Sequence, residues 1–197
     1  MKVESLGFKV RMVALSSCYL APVDWYAMYV HSGGAKVDVN AAYTGQRHVN
    51  RCTILMPDGP QTLTIPLVAS STHGTIADLR ISDHGRWRSH HWNALRTAYG
   101  KSPFFEFYAD DFAPFYTEQW HSLADFNSAL HKLVCRLLDI EAIDSIETIE
   151  AIETKPSLGP PYYQVFGHRQ GFVPHLSILD LLFNMGPEGL LVLLASH

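Results

Sequence analysis

Apolar and polar positions along the chain fall into short blocks with two different periods. Arg11 to Leu15 is a short apolar run closed by Ser16 and Ser17, which predicts a strand and a turn. Pro22 followed by Trp25, Tyr26 and Tyr29 then predicts a helix. Pro22 suits its first turn, where an N–H is not needed, and Gly33-Gly34 suits its exit. A second strand carries Val37 and Val39 on one face and Asp38 on the other, because successive side chains alternate across a strand.

Cys52 to Met56 and Leu63 to Leu67 are extended runs separated by Pro57-Asp58-Gly59-Pro60, which predicts a β-hairpin. Asn50 and Arg51 stand at its entrance, and Pro66 belongs at an edge or a strand end. Ser70 to Gly74 reads as a loop, followed by a possible strand over Thr75 to Ile81. Ser82 or Asp83 caps a helix carrying Trp92, Leu95 and Tyr99 and stopped by Gly100. Pro103 to Tyr116 is dense in Phe and Tyr and reads as core or partner surface. Ser122 resembles the start of a capping box with Asp125, and Leu123, Phe126, Leu130, Leu133 and Leu137 trace one helical face. Ile140 to Thr154 repeats an Ile followed by an acid with period three, which fits neither helix nor strand and reads as a surface connection. The prolines Pro156, Pro160 and Pro161 predict an extended approach to Tyr162 and Tyr163. An apolar helix around Leu176 to Phe183, a Gly186-Pro187 break and a short helix over Leu190 to Leu194 complete the pattern.

These elements predict an α/β (or α+β) fold: a short central sheet, an N-terminal strand-helix-strand unit, a hairpin, and several helices in the C-terminal two thirds. The 197 residues, 47% apolar and 17% charged, suit a single domain over 1–197 with a full core. A net charge of -4 argues against a nucleic-acid surface, which shows as a basic excess. No run approaches the roughly 20 apolar residues of a spanning helix. Cys18, Cys52 and Cys135 are odd in number and widely spaced, which predicts reduced thiols and a cytoplasmic location. Leu15-Ser16-Ser17-Cys18 imitates a lipoprotein cleavage site, but the apolar run before it is too short for export.

Candidate chemistry concentrates between Asp38 and Pro66. Arg47 and Arg51 offer planar donor forks for phosphate or carboxylate, and Asp38, Gln46 and Asn50 can orient a polar ligand. Tyr19 and Tyr43 are placed to wall such a pocket. GxGxxG, GxxxxGK[ST], GxSxG and HExxH are all absent from the sequence, so no cofactor is named. The histidines show no ligand spacing, and no metal is expected. Cys52, beside Arg51 and near His48, is the one thiol placed for nucleophilic use, against a buried strand cysteine as the ordinary alternative.

The segments Tyr19-Leu20-Ala21-Pro22 with Trp25-Tyr26, Tyr43 through Cys52, and Leu63-Thr64-Ile65-Pro66 resemble the WbqC-like protein family. So do Arg80 through Trp87, His91-Trp92-Asn93-Ala94, Pro103-Phe104-Phe105-Glu106, Asp125-Phe126-Asn127 and Leu176 through Asn184, especially as they occur in Bacteroidetes-type members. Many members have Gln-Pro where this chain has Ser17-Cys18, and a proline where it has Ala21; the family's Asn-Arg pair is intact as Asn50-Arg51. The resemblance implies a part in bacterial surface-polysaccharide (O-antigen-type) biosynthesis, with glycyl or acyl transfer to an amino sugar or sugar nucleotide. More distantly, the first strand, proline loop and helix resemble nucleotidylyltransferase-type domains, an analogy of fold alone.

The expected function is therefore a transferase using Asp38, Asn50 and Arg51 in catalysis and Tyr19, Tyr43, Gln46 and Arg47 in substrate binding. Asp38 would orient or deprotonate an amine or hydroxyl, and Asn50 would donate to an oxyanion. The alternative is a non-catalytic module that binds a sugar nucleotide or a partner, and the aromatic belt of Phe104, Phe105, Phe107 and Tyr108 offers a homodimer surface.

Overall fold

The computed structural model describes residues 14–32, 35–140 and 159–196. The expected strand start at Arg11, the Gly33-Gly34 exit, Pro156 and nearly all of the Ile-acid repeat lie outside these residues. Strand β1 (Ala14–Ser16) leads through a tight loop to helix α1 (Val23–His31), and β2 (Lys36–Asp38) returns parallel to β1 with Ser16 opposite Asp38. Pro22 occupies the cap position before α1. The hairpin β3 (Arg51–Met56) and β4 (Gly59–Thr64) forms a second two-stranded sheet. Strand and helix are mixed as the sequence implies, with the strands divided between two short sheets.

The second hairpin strand starts four residues earlier than the apolar run suggests. Met56 pairs with Gly59, so the chain reverses over Pro57-Asp58 alone. Gly59 has φ +129, a conformation open to glycine because it lacks Cβ. Residues 75–81 form no extended strand. Thr75 N–H and Oγ1–H both donate to the Asp78 carboxylate at 2.8 Å, and this local capping winds Ile76–Asp78 into a 3-10 turn in competition with a ladder.

Helices α2 (Trp87–Tyr99), α3 (Phe105–Thr117) and α4 (Leu123–Leu137) follow, with Gly100 at the end of α2 and Ser122 Oγ accepting from Asp125 N–H at the start of α4. After the short α5 (Gly167–Gln170), which the sequence pattern does not signal, α6 (Ile178–Met185) and α7 (Gly189–Leu194) are separated by a glycine kink at Gly186. A Cβ at Gly186 would stand 2.6 Å from the Phe104 ring, so the close approach of helix and ring requires glycine. One buried cluster runs from Leu15 to Leu193. Within it Phe183 packs on Tyr99, Phe105 and Phe112 with ring centroids 5.1 to 5.5 Å apart.

Segment 174–178 crosses between the two sheets and positions everything near the start of α1. Ser177 N–H donates to Thr53 O at 2.7 Å, Ile178 N–H to Ala21 O at 2.9 Å, and Val23 N–H to Leu176 O at 3.0 Å. The beginning of α1 is therefore held against β3.

Candidate functional site

A cavity of about 80 Å³ opens at the carboxyl ends of β1 and β2, where Ser17 and Cys18 leave the sheet and α1 begins. Open α/β folds commonly bind ligands at this position. Val37 and Val39 form one side, Trp25, Tyr26 and His131 the other, and Asn127 reaches in from α4. Trp25 meets His131 edge-on at 5.4 Å, and the Tyr26 hydroxyl lies 3.2 Å from His131 Nδ1.

Asn127 is the informative lining group. It is 2% exposed, its amide donates to Val49 O at 2.9 Å and to Ser17 Oγ at 3.4 Å, and its Oδ1 is buried without a partner among the described residues. Buried polar atoms normally carry a hydrogen bond, so this acceptor is the unsatisfied polar group of the residues around the cavity. Cys18 also lines it, but its thiol donates to Ser16 O and burial pushes it up to about 12, so it is no nucleophile near neutral pH. A wider depression of about 480 Å³ over Arg96, Phe105 and Glu106 lies open to solvent. It has no orphaned buried group, and the narrower cavity is the better-built site.

The expected site residues are divided by the fold. Asp38 sits half-buried at the end of β2 on the face away from Val37 and Val39, and its Oδ1 accepts from Asn40 N–H at 2.8 Å. Gln46 stitches its own loop, donating to Ala42 O and accepting from Thr44 N–H. Tyr43 is half-buried against the core, and its N–H donates to Gly74 O. Arg47 and Arg51 are exposed, without side-chain partners among the described residues. Asn50 is buried, and its amide donates inward to Ile65 O at 2.8 Å. Cys52 is buried and its thiol is pushed well up by burial, which fits a packing role.

Tyr19 is fully enclosed and belongs to an internal chain of hydrogen bonds. Its hydroxyl is 2.9 Å from both His91 Nδ1 and Tyr116 Oη, and His91 Nε2 is 3.2 Å from Thr64 O. A carbonyl only accepts, so His91 carries its proton on Nε2, Tyr19 donates to Nδ1, and Tyr116 donates to Tyr19. Burial lowers His91 to about 4, which keeps it neutral. The chain fixes the first loop against α2, α3 and β4, while Tyr19 N–H donates to His48 O at 2.9 Å. Loop 46–50 is thus bound at His48 to Tyr19 and at Val49 to Asn127, beside the cavity.

Among the described residues no group of three or more His, Cys, Asp or Glu is placed to hold a metal ion, and no helix is long and apolar enough to cross a membrane. The three thiols are free. Sequence spacing did not single out Asn127 or Ser17. The available signal was a polar residue on the apolar face of α4, between Phe126 and Leu130.

These features define a mixed α/β protein with a small, largely apolar-walled cavity at the ends of a parallel strand pair. The chain belongs to the WbqC-like protein family, whose model matches residues 37–157, a span that includes Asp38 to Arg51 and Asn127. It is also 30% identical to the uncharacterized protein Rv1507c of Mycobacterium tuberculosis (strain ATCC 25618 / H37Rv), in a 188-residue alignment covering 74% of this chain and 81% of that protein. No solved structure matches the chain.

Proposed function

We propose that the protein is a cytoplasmic transferase of bacterial surface-polysaccharide (O-antigen-type) biosynthesis, passing a glycyl or acyl group to an amino sugar or sugar nucleotide. The observation that carries this reading is the cavity with a buried, unpartnered Asn127 Oδ1 and aromatic walls. A sugar ring or amino group has the donors that such an acceptor needs, and aromatic faces stack on sugars and attract ammonium groups. Arg47, two residues before the Val49 carbonyl that Asn127 binds, and Arg51 at the head of β3 would hold a phosphate or carboxylate. Asp38 would serve a ligand that reaches round the end of β2. Asn50, whose amide N–H donates to Ile65 O while its Oδ1 has no partner among the described residues, and Tyr19, held in its internal chain, would position Arg51 and the first loop.

The rival reading, a non-catalytic binding module with an aromatic partner surface, draws less support from the geometry. Phe105 is buried and only Phe107 of the expected belt is largely exposed, at 75%. Melting curves with a panel of sugar nucleotides test the proposal. A cognate ligand should raise the melting temperature of the parent protein. The Arg47→Ala/Arg51→Ala double variant should bind it at least tenfold more weakly, since a charge-assisted hydrogen bond contributes about 1.5–3 kcal/mol. An unchanged shift in the folded variant would refute the role of the arginines.

A further inference from the structure

On the other side of the start of α1, Asp24 and His175 meet from 151 positions apart, His175 Nδ1 lying 3.3 Å from Asp24 Oδ2. The carboxylate accepts, so Nδ1 carries the proton and Nε2 keeps its lone pair. Nε2 has no partner among the described residues, and the ring is 53% exposed whereas Asp24 is 14% exposed. The pairing is held from both directions: Val23 N–H donates to Leu176 O, and Pro22 bridges Ser177. His175 has φ +59, a conformation that a non-glycine residue adopts only when its surroundings impose it.

Beside the ring is a cleft of about 20 Å³ bounded by Tyr162, Phe172 and Pro174, which is room for one water or hydroxyl oxygen. Asp24 also lines it, and its Oδ1 is buried without a partner among the described residues. The titratable and charged groups nearby are His48, which lies within electrostatic range of Asp24 and His175, Arg47 beside it, and Tyr162, which lines the cleft, feels Asp24 and donates its hydroxyl to Asp180. Burial and the neighbouring Arg47 lower His48, so its ring stays neutral at neutral pH and can donate one N–H toward an oxyanion that develops next to the cleft.

We propose that His175 is a general base, with Asp24 as its positioning residue, acting on a water- or hydroxyl-sized nucleophile in this cleft to open an ester or other activated acyl group. Nε2 takes the proton of the nucleophile as its oxygen bonds to the acyl carbon. The bond from that carbon to the leaving group breaks with its electron pair, and the imidazolium returns the proton to the leaving group or to solvent. Asp24 fixes the tautomer and stabilises the imidazolium, the part a carboxylate plays behind a catalytic histidine. The pair stands on its own geometry, whichever ligand fills the cavity.

Hydrolysis of p-nitrophenyl acetate by the full chain tests the pair without a cognate substrate. His175→Gln should lose at least about tenfold in rate, the lower range for a positioned base, with its melting temperature unchanged. Asp24→Asn should fall similarly, and Asp24→Glu should recover part of the rate, which a merely structural tie would not produce. His168→Gln, altering an exposed histidine bonded to Val165 O, should leave the rate unchanged. A folded His175→Gln with the parent rate overturns the proposal, as does an Asp24→Asn loss that only follows its melting temperature. Loss of ester turnover in a protein that binds no sugar nucleotide would refute the transferase reading and leave the pair standing; the reverse would refute the pair alone.

Discussion

Between pH 6.5 and 4, the Asp180→Asn variant is expected to lose about 2 kcal/mol of stability relative to the parent protein. Asp180 is fully buried on α6, where its Oδ2 accepts from Tyr162 Oη at 2.8 Å and Gln164 Nε2 at 3.0 Å. Desolvation raises its carboxyl to about 6 from 3.8, the hydrogen bonds only partly opposing it. The folded state therefore holds a proton that the unfolded chain has released, and this group's contribution is full below the unfolded value and is lost as pH rises through about 6. His91 acts in the opposite sense. Its folded value of about 4 lies below the unfolded 6.5, so its contribution is lost as pH falls through that window. Each shift of two units or more corresponds to about 3 kcal/mol, and in the parent the two slopes nearly cancel.

Removing the Asp180 titration leaves the His91 slope exposed, and His91→Gln should show the mirror image, with stability falling as pH rises from 4 to 6. Asp78 and Asp83 have lowered values but are exposed, and solvent screening makes their contribution small. Urea unfolding at pH 4, 5, 6 and 7 measures the slopes. Equal slopes for the parent and Asp180→Asn would contradict the opposition.

Phe183→Ala should cost about 3–5 kcal/mol, the range for deleting a buried phenyl ring from a close-packed core. Phe183 is fully buried and touches rings from α2 and from the start and middle of α3, so relaxation of one helix cannot fill the space. A loss below about 1.5 kcal/mol in chemical denaturation, the scale of a volume-conserving swap, would show that the three rings collapse onto the gap.

Where local chemistry decides structure, the sequence was legible. Ser122 and its following apolar face specify α4, and Gly100 ends α2, because cap and stripe agree. The alternation of Val37, Asp38 and Val39 correctly separated the two faces of β2, and the same alternation puts Asp38 on the face away from the cavity. Thr75 to Ile81 looked extended because its apolar residues could suit a strand, but the Asp78 carboxylate satisfies the Thr75 backbone first. The candidate site was legible only as a neighbourhood. Arg47 and Arg51 are exposed, as the ligand-binding expectation needs, while Asn50 turns inward to Ile65. Asn127 and His131 reach the cavity from α4, and Asp24 meets His175 across 151 positions, so no local spacing could have paired them.

The central claim is that the cavity between the first loop, α1 and α4 holds the ligand through Asn127. Native mass spectrometry of the protein incubated with a panel of sugar nucleotides and amino sugars tests it most directly, using the parent, Asn127→Leu, and Ser128→Trp, which blocks the exposed mouth without altering a buried hydrogen bond. The account predicts a one-to-one adduct on the parent that both folded variants lose. Adducts of equal intensity on all three proteins, or on none, would contradict it.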